Sequence, residues 1–374
     1  MKKIRYLSIM TVCIIGCKKP YNPSIVKSST NYLVVEGVIN AGSDSTVIKL
    51  SRTVDVSSLV TKKPERDAIV TVESDQKSVY TLAETKPGYY VVSGLNLDVT
   101  IKYRLDIKTS NNQQYLSDFE KVKTTPPIDS VGFTVQSNDI QLYVNTHDPG
   151  NNTRYYRWDY NETWQFHSEF ESYVVSDGQS LVQRTPSQMI YNCFGNNISS
   201  NIVLGSSAKL QQDVIYQNPV TMIASSSEKI ETKYSILLRQ YAITGEAYKF
   251  WVNLKKSTEQ LGSIFDAEPT QINGNIHNVS NPEEQVVGYI SACTVQTKRI
   301  FITKDQVPKS WKTVYPYTCV QDSNLSYASL VHPGSAIATN PFFHGPNPAG
   351  FLSAPVECVD CTLRGTTATP IFWK

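Results

Sequence analysis

The sequence predicts a mainly β fold of tandem sandwiches, and three observations carry that prediction. Short apolar runs rich in β-branched and aromatic residues recur at close spacing from Tyr32 onward, separated by Gly, Asn, Asp and Pro. Within them apolar and polar residues alternate. Tyr103, Leu105 and Ile107 point one way, and Arg104 and Asp106 the other. Only one stretch changes to a helical period.

The first series is YLVVEGVI (32–39), STVIKLSR (45–52), AIVTVES (68–74), SVYTLAE (78–84), GYYVVSG (88–94) and TIKYRLDIKT (100–109). It defines a first domain over 31–124. KTTPPIDSV (123–131) is the expected boundary, because adjacent prolines cannot donate to a ladder and stiffen a short connector. A second β-rich domain, 125–374, opens with DSVGFTVQ, DIQLYVNTHDP and TRYYRWDYNETWQF. In the last of these, Tyr155, Arg157, Asp159 and Asn161 alternate with Tyr156, Trp158, Tyr160 and Glu162. The pattern resembles an immunoglobulin-like or fibronectin-III-like sandwich, a likeness of architecture only.

Residues 168–232 are less regular, with KLQQDVIYQ and PVTMIAS as candidate strands, and KYSILLRQYAIT (233–244) is a strong one. An amphipathic helix is expected near 245–262. Ala247, Trp251, Leu254, Thr258 and Leu261 recur at its spacing, Thr244 is the N-cap, Glu246 suits the first turn and Gly262 stops it. QVVGYISACTV and KRIFIT read as two further strands of the second domain. The remaining C-terminal region is rich in Pro, Gly and Ser and reads as loops.

The N-terminus sets the compartment. Lys2, Lys3 and Arg5 precede the apolar run YLSIMTVCIIG, which is too short to span a bilayer and has the flanks of a secretory signal. It ends in Ile14-Ile15-Gly16-Cys17, the pattern of a bacterial lipoprotein. Residues 1–16 are therefore read as a signal peptide, Cys17 as the lipidated residue and 17–30 as a lipidated tether. The lipid on Cys17 is the expected membrane anchor. The full chain has 374 residues and net charge +2; the signal holds three basic and no acidic residues, so the rest carries 2 − 3 = −1. That balance predicts no nucleic-acid partner.

Of the 7 cysteines, Cys13 leaves with the signal and Cys17 is acylated. Cys193, Cys293, Cys319, Cys358 and Cys361 remain, an odd set in oxidising surroundings. Cys358-Val359-Asp360-Cys361 has the spacing of half a zinc site or a redox pair. It lacks companion ligands at short spacing, and it lacks the strand-to-helix context of a redox centre. The reading is a disulfide clip that fastens the terminal PIFW, with the pairing left open. No metal and no cofactor are expected.

His147, His167, His277, His332 and His344 are scattered, without a metalloprotease, nucleophile-elbow or phosphate-loop pattern. Glu169 and Glu171 lie near Trp164 and Phe166, and a carboxylate pair beside aromatics could cleave glycans or peptides. Tyr156, Trp158, Trp164 and Phe166 are also candidates for contact with a ligand or partner, since such rings are favoured at interfaces.

Several pieces together resemble the exported lipoproteins of Bacteroidota grouped as domain of unknown function 4249. They are the motif ending in Cys17, "YLVVEGVIN" with "TVIKLSR", "AIVTVESD", "YTLAETKPGYYVV", "PPIDSV" and "HDPGNNTRYYRWDY". They continue with "KYSILLRQYAITGEAYKFWVNLKKSTEQLGSIFDAEPTQINGNIHN", "VVGYISACTVQTKRIFI" and "CVDCTLRGTTATPIFW". The resemblance implies an accessory outer-membrane lipoprotein of a TonB-dependent receptor, with the cell surface favoured over the periplasmic face. It supplies no catalytic residues. A serine-like residue is usual where Cys293 stands, which makes Cys293 the expected free thiol. The expectation is a non-enzymatic partner that helps capture a ligand. The alternatives are a hydrolase, or a cell-envelope adhesin or scaffold.

Overall fold

A computed structural model describes residues 31–54, 63–259, 273–315, 317–323, 326–332 and 334–373. The expected signal peptide, Cys17, the tether and the end of the helix with Leu261 and Gly262 lie outside the described residues.

The first series folds as its alternation requires. The opening strand Leu33–Asn40 pairs antiparallel with Thr46–Arg52, which continues through Tyr89–Val92, Val79–Lys86, Ile69–Ser74, Lys102–Lys108 and Gln114–Ser117. The two ends of this path share one core. Leu33, Val35, Ile48 and Leu50 from one end meet Val70, Val72, Leu105 and Ile107 from the other. The sheet therefore closes on itself as a sandwich, which removes apolar side chains of both halves from water.

The second unit packs two sheets face to face. One holds Ile128–Val135, Asp139–Asp148 and Asp213–Ala224. The other runs Asn192–Ile198, Tyr155–His167, Lys233–Ala242, Val295–Thr303, with Val203–Ser206 also on the long strand. Ile140, Leu142 and Val144 face Trp158, Tyr160, Ile236 and Leu238 across the core. KLQQDVIYQ and PVTMIAS thus belong to one strand bent by two register shifts, and two strands between 192 and 206 had no clear sequence signal.

The expected second domain of 125–374 needs correction. After the helix the chain returns to the first sheet. Ile276–Asn278 pairs with Gln114–Ser117, and Val286–Val287 and Ala292–Cys293 lie parallel to the opening strand. QVVGYISACTV is therefore two short edge strands of the first sandwich. Gly288 (φ +151°) makes this possible, because a Cβ there would sit 2.2 Å from the Val35 carbonyl oxygen.

The helix Gly245–Glu259 begins where Thr244 caps it. The Thr244 hydroxyl accepts from Ala247 N at 3.2 Å and its carbonyl from Tyr248 N at 2.9 Å. Ala247 and Phe250 are buried against Val38 of the first sandwich, Tyr241 and Ile243 of the second, and Tyr289 and Cys293 of the returning segment. The helix is thus a wedge at the junction. The linker is held there too. Thr125 N donates to the Thr294 hydroxyl (2.9 Å), and Gln240 Nε2 donates to the Pro126 carbonyl (2.8 Å).

The C-terminal region is more ordered than its composition implied. Ala336–His344 and Asn347–Pro355 form a hairpin. Cys358 and Cys361 do not share a partner. Cys361 bridges to Cys193 and Cys358 to Cys319, with Cα separations of 5.8 and 5.7 Å. Beyond them Trp373 meets Phe194 and Phe301 edge-on at 5.1 and 5.6 Å, and the Arg299 guanidinium lies 3.5 Å from the Phe372 ring centre. The terminal aromatics are clipped to the second sandwich. Cys293 is the free thiol among the described residues, and burial pushes its pKa up to about 12.

Candidate functional site: a cleft at the domain junction

The aromatic strip does not form a surface. Tyr156, Trp158, Trp164 and Phe166 are all buried in the second core. Each sits on the face of Tyr155–His167 that meets the opposing sheet or the tail, so none can contact a ligand. Their polar atoms are used inward. Trp158 Nε1 donates to Gln240 Oε1 (2.9 Å), Trp164 Nε1 to Glu228 (3.1 Å) and the Tyr156 hydroxyl to Asp213. Glu162, on the same face, accepts from Tyr234 (2.8 Å), Lys229 (2.7 Å) and Asn197 (3.0 Å).

The same burial removes the aromatic floor expected beside Glu169 and Glu171. Glu169 is exposed, and Glu171 accepts from the exposed Tyr173 hydroxyl. The histidines do not converge. His147 pairs with Asp129 (2.8 Å), which raises its pKa; His167 bonds the Ser168 carbonyl (2.8 Å); His277 lies 3.7 Å from Asp118. Among the described residues no group of three or more His, Cys, Asp or Glu side chains is placed to hold a metal ion.

A different set of residues meets at the junction, around a cleft of about 440 Å3, a size within the ordinary range of small-ligand sites. The first sandwich contributes Lys102, Lys121 and Lys123, and the second contributes Arg154. Register explains the grouping. Lys102 stands directly opposite Lys121 across paired strands, and Lys123 follows two residues on. Phe119 and Tyr155 supply aromatic walls, and Thr244, Gly245 and Glu246 bring the start of the helix to the rim.

The lining holds two acidic residues, Glu120 and the exposed Glu246 at the helix start, and neither is within ion-pair reach of its lysines. Glu120 turns inward, where it accepts from Asn275 Nδ2 at 2.9 Å and the Tyr289 hydroxyl at 3.0 Å. Desolvation pushes its pKa up, with Asp118 and Glu246 adding to the rise. Arg154 donates to the Leu210 and Gln211 carbonyls at 3.3 and 3.1 Å, and Lys123 to the Asn152 carbonyl at 3.3 Å. Lys102 and Lys121 are exposed and have no carboxylate within ion-pair reach among the described residues.

Sequence reasoning missed this set. The available signal was Lys121-x-Lys123 just before the prolines, two lysines on one face of a strand. Lys102 and Arg154 join it only through pairing and docking.

Fold and site define a mainly β, two-sandwich protein with a basic cleft at its waist. The family model described as "Domain of unknown function (DUF4249)" matches residues 18–299, and the chain belongs to that family. Among the curated proteins none matches it. A two-fibronectin-type-III-domain segment from chicken tenascin is similar at 9% identity and a TM-score of 0.16, covering 55% of this chain and 88% of that one.

Proposed function

We propose that the protein is a lipid-anchored outer-membrane accessory of a TonB-dependent receptor, acting by binding rather than by catalysis. The observation that carries this reading is the Ile14-Ile15-Gly16-Cys17 motif ahead of a mainly β body. The opening strand starts at Leu33, beside Arg52 and Glu65, and ends at Asn40 next to Cys293 in the junction. Eight strand residues span about 26 Å. A lipid on Cys17 would tether the chain on the N-terminal side of the first sandwich, whose described part begins at residue 31. The motif ending in Cys17 and the family resemblance supply the membrane and the receptor.

Fractionation and pull-down test it together. The wild-type chain is expected in the outer-membrane fraction and a Cys17→Ser chain in the soluble fraction. Tagged wild-type protein, solubilised in detergent, is expected to bring down a TonB-dependent receptor. Recovery without any receptor would count against the partner, and an unchanged location of Cys17→Ser would count against the anchor.

A further inference from the structure

We propose that the junction cleft binds a small organic anion of about sugar size, with its charged oxygens on Lys102, Lys121 and Lys123 and a flat face against Tyr155 or Phe119. This goes beyond the receptor reading and does not depend on it.

The central observation is the cross-strand pair. Lys102 and Lys121 are directly opposite in register, both exposed and both without an acidic partner among the described residues. Like charges placed so destabilise a sheet. The nearest carboxylate in sequence, Glu120, is held by Asn275 and Tyr289 instead. An anion seated between the two ammonium groups removes the repulsion and satisfies their donors. Charge-assisted hydrogen bonds of this kind are the stronger ones, and a cleft lined by several like charges raises the local concentration of counter-ions.

Two further features fit the same ligand. Lys123, two residues beyond Lys121, adds a further ammonium group to the lining, so the site favours more than one anionic oxygen. Tyr155 is backed by Tyr248 with ring centres 5.0 Å apart, and Phe119 by the Arg104 guanidinium at 4.6 Å. Both walls are thereby held in place to stack on a ring. The helix start at Gly245 brings a positive dipole end to the rim, offset there by the Glu246 carboxylate of its first turn, so the lysines carry the site. The charge is local, since the chain without its signal carries −1 overall by the count above.

The test is calorimetric titration of the detergent-solubilised full chain with glucuronate, citrate and a sulfated disaccharide. Binding by at least one probe is expected, weakening as salt rises. Replacing Lys102 and Lys121 together by Gln is expected to weaken it by about tenfold or more. The same variant is expected to raise the melting temperature of the unliganded protein, because the repulsion is gone. That second readout separates a lost site from a damaged fold. Lys309→Gln, an exposed lysine outside the cleft, is expected to leave binding unchanged. Three outcomes overturn the proposal: no probe bound at millimolar concentration, equal affinity in the Lys102/Lys121 variant, or cleft lysines protected from acylation only by a co-purifying protein, which would make the cleft a docking site for an acidic segment.

Discussion

Gln240→Leu tests how the linker is fastened to the second sandwich. Gln240 is fully buried. Its Oε1 accepts from Trp158 Nε1 at 2.9 Å, and its Nε2 donates to the Pro126 carbonyl at 2.8 Å and the Thr146 hydroxyl at 3.0 Å. Leu nearly conserves the volume and carries no polar atom, so little cavity is expected. The change strands the indole N–H and the Pro126 carbonyl. Thr146 is spared, because its hydroxyl also donates to the Pro127 carbonyl at 2.9 Å. Each stranded buried group costs about 1–3 kcal/mol, against about 1–2 kcal/mol returned by the more apolar side chain. The expected net loss is about 3 kcal/mol. Urea unfolding followed by tryptophan fluorescence and far-ultraviolet dichroism measures it. Trp158→Phe in the Gln240→Leu background is expected to cost less than in the wild type, because the polar pair is already broken. A stabilising change, or strictly additive costs, refutes the assignment of Gln240 as the fastening.

Opening the Cys193–Cys361 bridge, with sequence separation 168, is expected to cost up to about 5 kcal/mol, and opening Cys319–Cys358, separation 39, up to about 4 kcal/mol. Guanidinium melts of the paired Cys→Ser variants should keep that order, and a reversed order rules out loop closure as the cause. Cys293 is expected to react with a maleimide at neutral pH no faster than the chain unfolds, so rapid native labelling contradicts its burial. The Asp148 carboxylate accepts from the amides of Gly150, Asn152 and Thr153 at 2.9, 2.8 and 2.9 Å. Desolvation pulls its pKa up, but those amides together hold it below the usual 3.8. Its contribution is therefore present above the unfolded value and lost as pH falls through the lower folded one. Asp148→Asn should flatten the acid limb of stability below that value, and an acid limb identical to wild type removes Asp148 from the account.

Much of the local structure was legible because it depends on near neighbours. The alternation in 103–107 buried Tyr103, Leu105 and Ile107 as expected. It could not show that Asp106, on the other face, would also be buried with its carboxylate accepting from Gln114. The Thr244 cap needed only the next four residues. The long strand shows the limit. Its alternation separates Tyr156 and Trp158 from Tyr155 and Arg157, yet not which face another sheet would cover.

By itself the sequence determined the β character, the position of the helix, the odd number of cysteines, five, after residue 17 and the motif ending in Cys17. Each is a property of residue type and short-range period, and backbone sterics and side-chain shape act over a few residues. Only the tertiary structure decided that Cys358 and Cys361 reach different partners, that residues 276–293 return to the first sheet, and that Lys102 stands opposite Lys121. Those outcomes depend on strand register and on which apolar faces exclude water together. Both are set by residues tens to hundreds of positions apart, through packing that no local pattern records.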